Sequence, residues 1–504
     1  MAYSGQANHG SQTRGLLFRW REKKTSDGSI IEEFDLIFGQ CRDAFSSPAS
    51  WSRARELAYG ALTCMGRHTL TGMLTSSGKQ FMDWSSAYRL FSQQRLITDA
   101  LFNTVQTEAL KELEEQPRIV SHMDDTIIKK TGRKIPGASW RRDPLGPAFQ
   151  TNFIWGQRFL QISLALPDHR GCSQSRAIPV DFHHCPTAKK PGKKAGEQDF
   201  AYYREQQKQL KLSRQGCERL HQLRSSLDDQ GAENKQLVVS VDGSYTNKEV
   251  LKNLPQRTIL IGRIRKDTKL YTLPDAQPDK GRKRTYGERL PTPEQIRQSD
   301  HLPWTLVNAW AAGKDHDFKV KVIKNVLWRS AGQKHLLQLV VIKPLGYRLT
   351  KSSPVLYREP AYLICTDPEL NINELLQDYL WRWEIEVNIR EEKTLLGCGQ
   401  AQVRNPESVQ NVPAFIAAIY ACLLLATHRS IKSANHKMLP RPKWYSKKKD
   451  RRHSTGDVIN NFRAQLWSKA IGVNFSHFVN HEIKSRSLRN ESNPFTSAIF
   501  YQRK

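Results

Sequence analysis

From Trp51 to about Glu115, apolar residues recur at three- and four-residue spacing: Leu57, Leu62 and Met65, then Leu70, Met73 and Leu74. A Ser76-Ser77-Gly78 break follows, and Trp84, Tyr88, Phe91 and Leu96 resume the pattern. This period predicts several short helices. Their basic faces suit either a helix-turn-helix-like DNA module or a plain helical bundle. Ahead of them lie a polar, Gly/Ser-rich leader, MAYSGQANHGSQTRG, and a mixed segment to about residue 50.

Strand and helix signals then alternate. Arg118–Met123 predicts a short buried strand ending at Asp124-Asp125. Two β-rich stretches, Phe149–Trp155 and Phe159–Leu166, are separated by a turn at Gly156-Gln157. Pro186–Gly196 is a Pro/Lys linker, and a polar helix covers about Gln198–Asp229. Gln236–Val241 is a strong strand ending at Asp242; Thr246–Leu254 starts a helix, and Thr258–Gly262 is another strand. From about Arg263 to Pro360, β-like runs (Phe318–Trp328, Leu336–Ile342) sit among loops. One loop, Pro278–Arg289, carries Lys280, Arg282, Lys283, Arg284 and Arg289. Helices return from Asn373 to about Leu395 and from Pro413 to Arg429. Strands alternating with helices, with acids at strand ends, predict an α/β core whose ligand sites lie at the carboxyl ends of the strands.

Length adds that the 504 residues exceed one ordinary core and suggest roughly three domains. With 38% hydrophobic residues the chain has enough apolar material to fold. Charge changes the picture more. Lys and Arg number 78 against 49 acids, a formal net charge of +29, which favours a polyanionic partner and nucleic acid above all. A membrane surface fits less well: the basic runs do not sit on amphipathic helices beside apolar anchors, and no stretch reaches the ~18 apolar residues of a span. The longest apolar run, Pro413–Ala426, reads as a core helix. The leader lacks the apolar stretch of a secretory signal, which predicts a protein that stays inside the cell. Eight scattered cysteines without a CxxC pair fit a reducing compartment. Cys172, His183, His184 and Cys185 match no standard zinc spacing and read as packing or loop residues. The final segment is basic, with Lys443, Lys447, Lys448, Lys449, Arg451 and Arg452.

Acids in so basic a protein point to metal-assisted phosphodiester chemistry, which needs hard oxygen ligands brought from distant parts of the chain. Asp242 ends an apolar strand and precedes Gly243, although an acid there also serves as a turn or helix cap. Asp125 has the same ambiguity, and Asp124 competes with it, because side chains alternate along a strand and only one of the two can enter a shared site. Along the helix from Asn373, Tyr379, Arg382, Glu386 and Lys393 point at about 0°, 300°, 340° and 320° for 100° per residue. Leu376, Leu380, Trp383 and Val387 form an adjoining apolar stripe at about 40° to 100°. An acid, two bases and a phenol thus project together, as a functional face or as a solvated face of ion pairs.

These residues resemble a known signature. Tyr379, Arg382, Glu386 and Lys393 match without a gap the YREK pattern of bacterial insertion-sequence DDE transposases of the IS-four superfamily. The string YLWRWEIE, the pair Asp125-Thr126 and the sequence Asp242-Gly243-Ser244-Tyr245 are similar to the family as well. The resemblance covers roughly residues 115 to 430. It implies an RNase H-like catalytic core with a β-rich insertion, an N-terminal helical domain and a basic C-terminal segment. The expected division is 1–115, an N-terminal helical DNA-end-binding domain; 116–262 and 361–430, the two parts of the core; 263–360, the insertion; and 431–504, the basic segment. The resemblance further implies that Asp125, Asp242 and Glu386 hold two Mg²⁺ ions, with Mn²⁺ as a substitute. Tyr379, Arg382 and Lys393 would grip DNA phosphates, and Trp383 corresponds to an aromatic near a flipped base. Packing into the apolar stripe is the other role open to Trp383; Trp310 and Trp328 are the candidates for a second stacking aromatic. The implied activity is cut-and-paste transposition on double-stranded DNA, by a homodimer in a synaptic complex, in the bacterial cytoplasm at the nucleoid and with no membrane. A nuclease or recombinase of the same core without transposition, and a non-enzymatic DNA-binding relic, are the rival readings.

Overall fold

The computed structural model describes residues 28–470 and 472, apart from 144–145, 148, 169–172, 275–280, 333–334, 349, 351, 434–437 and 440–451. The leader, Cys172, Lys280 and the basic residues 443–451 therefore lie outside the described residues.

Five helices come first: α1 (Ile30–Gln40), α2 (Pro48–Thr63), α3 (Leu70–Ser76), α4 (Ser85–Ser92) and α5 (Thr98–Lys111). Ser29, Ser47 and Thr69 cap the first three by accepting a backbone N–H of the opening turn. Strands β1 (Arg118–Lys129), β2 (Ser139–Arg142), β3 (Phe153–Pro167) and β4 (Ser175–His184) follow, then α6 (Glu197–Gln209) and α7 (Leu212–Leu227). After β5 (Gln236–Val241), α8 (Lys248–Lys252) and β6 (Thr258–Arg263), the chain forms α9 (Pro293–Gln298) and strands β7 (Thr305–Ala311), β8 (Lys314–Val326) and β9 (Leu337–Ile342). A small ribbon, β10 (Gly346–Tyr347) with β11 (Leu356–Tyr357), precedes β12 (Ala361–Cys365). Four helices close the described chain: α10 (Ile372–Trp381), α11 (Trp383–Thr394), α12 (Ser408–Lys432) and α13 (Thr455–Ala470).

All strands except the ribbon join one ten-stranded mixed sheet. Its centre is parallel: β1 pairs with β5, and β5 with β6. Antiparallel β3 flanks β1, and both β4 and β2 pair with β3. On the far side, β12, β9, β8 and β7 add antiparallel strands beyond β6. The β-rich stretch expected between 263 and 360 thus extends the central sheet.

Several elements differ from their predicted limits. β1 does not stop at Asp124-Asp125. Its pairing with β5 ends at Met123, but its other edge stays paired with β3 as far as Lys129. The two β-rich stretches around Gly156 are a single strand, and Gly156 marks close packing where a turn was predicted: a Cβ there would lie 2.6 Å from the Ile128 carbonyl oxygen. The polar helix divides at Leu210-Lys211, and the Asn373 helix divides at Arg382.

α12 is long and apolar enough to cross a membrane by length and composition, yet nearly all of it is buried inside the fold. It packs against α1, α5 and β4, and the N-terminal helices share one hydrophobic core with it. Phe462 of α13 closes this core against Phe34 of α1, ring centroids 5.5 Å apart.

Candidate active site

The parallel register sets the site. Met123 lies opposite Val241, so the next residues, Asp124 and Asp242, leave the β1–β5 pair side by side at its carboxyl end. Alternation then sends Val120, His122, Asp124 and Thr126 to one face of β1, and Met123, Asp125 and Ile127 to the other.

α10 and α11 cover the first face. Leu375, Leu376 and Trp381 pack on Val120, Val238 and Ile261. Two polar contacts pin α10 in place: Arg118 pairs with the fully buried Asp378 at 2.9 Å, and Ser240 Oγ donates to the Asp378 carbonyl at 3.1 Å. Burial raises the Asp378 carboxyl to about 6 even with Arg118 beside it. At the break, Arg382 turns toward the sheet. Its Nη1 lies 3.3 Å from Asp124 Oδ2, and its Nη2 donates to Glu386 Oε1 at 2.8 Å. One guanidinium thus spans Asp124 and Glu386, residues 262 positions apart in the chain. Further along α11, Lys393 Nζ donates to Thr126 Oγ1 at 2.5 Å. The Tyr379 ring stands 5.9 Å from the Arg382 guanidinium. Arg382, Glu386 and Lys393 thus gather around Asp124 and Thr126, while Tyr379, the fourth residue of the expected face, packs against the core beside Arg382.

The structure differs from expectation at Asp125. Its carboxylate faces the opposite side, where Tyr245 donates to it at 3.0 Å and Arg158 lies 3.2 Å away. Asp124, the neighbour not chosen, is the one that shares a face with Arg382 and Glu386. Trp383 differs too. The turn at Arg382 rotates α11, so Ile385, Asn388 and Glu392 form its buried side. Trp383 is 59% exposed, outside the apolar stripe predicted for it. Of the two other aromatics, Trp310 lies on β7 with its backbone N–H bonded to Gln377 of α10, and Trp328 packs against the main core.

The electrostatics of the acids are unbalanced. Burial raises the Asp124 carboxyl to about 7, Arg382 opposes that rise, and Asp242 and Asp125 add to it. The Asp242 carboxylate accepts from Ser244, from its N–H at 2.9 Å and its hydroxyl at 3.1 Å. The turn role and an open carboxylate thus coexist at Asp242. Beneath Asp124, His122 is fully buried, and among the described residues neither ring nitrogen has a hydrogen-bond partner; burial and Arg382 lower it to about 3, so it is neutral. No sequence signal marked His122, Asp378 or Arg118.

Asp124, Asp242 and Glu386 carry the hard carboxylate oxygens that a divalent cation such as Mg²⁺ takes, but as they stand they do not form a closed site. Among the described residues, no three His, Cys, Asp or Glu side chains are close enough together to enclose an ion. Arg382 holds the place between Asp124 and Glu386.

A mixed sheet with acids at the carboxyl end of its parallel strands, covered by a helix carrying a third acid, is compatible with a carboxylate nuclease. The sequence matches the DDE superfamily endonuclease family across residues 43–334, more than half of its length, and the chain belongs to that family. The matched span contains Asp124, Asp125 and Asp242 and ends before α10 and α11. No curated protein matches the chain.

Proposed function

We infer that the protein is a DNA transposase: it binds transposon ends, cleaves them, and joins the 3′ ends to target DNA. Family membership supports a nuclease acting on DNA. Transposition rests in addition on the YREK residues and on their placement. The observation that carries the reading is the bridge Asp124–Arg382–Glu386 beside Asp242. The strand order β4-β3-β1-β5-β6, with parallel β1, β5 and β6 and antiparallel β3 and β4, supports an RNase H-like core.

In this reading the acid of β1 is Asp124, in place of Asp125. Asp124, Asp242 and Glu386 would hold the Mg²⁺ ions, with Mn²⁺ as a substitute. When bound, two such ions supply an activated oxygen nucleophile and stabilise the leaving oxygen of an in-line displacement. The rest falls to the chain itself. Arg382 partly offsets the charge of Asp124 and Glu386 before substrate arrives and offers a fork suited to a phosphate. Lys393, anchored at Thr126, and the Tyr379 hydroxyl extend that grip. Trp383, exposed beside the acids, is free to stack on an unpaired base. Asp125 acts from behind: with Tyr245 and Arg158 it fixes the twist of β1 and so the direction of Asp124. Synapsis of two ends requires at least two copies of the chain.

The test is Mg²⁺-dependent cleavage and strand transfer on DNA carrying the element's terminal repeats. Joined products support transposition. Nicks without joining favour a nuclease of the same core. Absence of both, with DNA binding intact, favours a relic.

A further inference from the structure

Arg158, which pairs with Asp125 at 3.2 Å, also lines a polar cavity of about 330 Å³, distinct from the carboxylates above. The cavity lies between the β2–β3 hairpin, the stretch after β4 and the junction of α6 with α7. Arg141 of β2 and Arg158 of β3 line it. Arg141 is only 6% exposed. Its Nη2 donates to the Cys185 carbonyl at 3.3 Å, while its Nε has no acceptor. Among the described residues no carboxylate pairs directly with Arg141; the nearest acid, Asp125, is taken by Arg158 at 3.2 Å. Burial and the neighbouring Arg158 lower the Arg141 guanidinium to about 10, the mark of a cation short of compensation.

The wall adds positive potential. α7 is sixteen residues long and begins here, at Leu212, and its N-cap residue Lys211 makes no side-chain bond to the first turn. Unsatisfied N–H groups and the helix dipole at such an end favour an anion. Tyr203 and Gln207 of α6 form the roof, and α6 buries none of its residues, so this roof is held by few contacts. Two guanidiniums with one carboxylate, paired to Arg158 alone, and a helix N-terminus opposite leave a buried positive charge that needs an oxyanion.

We propose that this cavity binds a phosphate group, held by Arg141, Arg158 and the first turn of α7. The forked donors match tetrahedral oxyanions better than a spherical halide. A bound phosphate competes with Asp125 for Arg158, on the residue next to Asp124, so occupancy of the cavity is coupled to the strand that carries the candidate active site. The phosphate comes either from a DNA backbone or from a free phosphate, and the two sources respond differently to the same variant.

The test uses the full chain and does not depend on cleavage. Inorganic phosphate is titrated by calorimetry at constant ionic strength in chloride, and a 20-base-pair duplex by fluorescence anisotropy. With free phosphate as the source, wild type takes up one phosphate per chain, Arg141→Met weakens that uptake at least tenfold, Arg141→Lys restores part of it, and duplex binding stays within twofold. With the backbone as the source, Arg141→Met weakens duplex binding at least tenfold, and phosphate competes with the duplex. Wild type that shows no saturable phosphate uptake, with duplex binding unchanged in Arg141→Met, overturns the proposal. So does phosphate uptake that Arg141→Met leaves untouched. If Arg141→Met does not fold, Lys211→Glu at the exposed rim replaces it: an at least threefold loss of phosphate or duplex binding is expected, and no loss overturns the proposal.

Discussion

Asp124→Asn is expected to stabilise the metal-free protein while removing a candidate ligand. The Asp124 carboxyl moves from the ordinary 3.8 to about 7 in the fold, chiefly through burial. Below pH 3.8 the group is protonated whether folded or unfolded, and its proton-linked stability is fully present. That stability is lost as the pH rises through about 7. At 1.36 kcal/mol per pKa unit, the charged group costs the folded state about 4 kcal/mol at pH 8, an upper limit. Local relaxation around Arg382 reduces this, so the asparagine variant should gain about 1–4 kcal/mol at pH 8 and clearly less at pH 5. Urea denaturation in EDTA at the two pH values measures the difference. Magnesium at 100 times its dissociation constant should add about 2.7 kcal/mol to wild type and much less to the variant. A variant no more stable than wild type at pH 8, or with the same gain at both pH values, refutes the view that Asp124 sits in an undercompensated negative centre.

Other expectations follow from the same geometry. Trp383→Ala should change stability by no more than about 0.5 kcal/mol, because the ring is exposed, yet weaken binding to DNA with an unpaired base by about 1–3 kcal/mol, measured by anisotropy against a fully paired control. Leu423→Ala, at the fully buried centre of α12, should cost about 2–5 kcal/mol by urea denaturation and mark that helix as core. Gly156→Ala should destabilise by about 1–3 kcal/mol, since the new Cβ meets the Ile128 carbonyl; a neutral result would contradict the tight β1–β3 crossing. Duplex binding should fall steeply between 50 and 200 mM salt, by about 10³-fold or more if six phosphates are neutralised; a flat response would mean that the +29 charge is not what binds DNA.

The α/β alternation, the strands around Val239 and Ile261 and the core nature of α12 were legible because each is a strong apolar run. The common direction of Arg382, Glu386 and Lys393 was legible because Arg382 caps α11 and the other two lie on it, so the break does not come between them. The choice between Asp124 and Asp125 was not. β1 is buried on both faces, with Ile119 and Met123 on one side and Val120 and His122 on the other, so no polar alternation reveals which face carries the site. The proposal for Asp124 rests on the register with β5 and the seat of α11, and both are long-range. That Trp383 leaves the apolar stripe was hidden for a similar reason: the break at Arg382 leaves no Pro or Gly in the sequence to announce it. The Arg141–Arg158 cavity was equally hidden, since its walls come from four separate segments.

The central claim is that Asp124, Asp242 and Glu386 converge to cut DNA. It is tested most directly by Mg²⁺-dependent plasmid nicking with Asp124→Asn, Asp125→Asn, Asp242→Asn and Glu386→Gln, each shown to be folded and to bind duplex. No detectable nicking is expected from the first, third and fourth, and a loss of no more than about tenfold, about 1.4 kcal/mol, from Asp125→Asn. Nicking that survives Asp124→Asn or Glu386→Gln and disappears only with Asp125→Asn would contradict it.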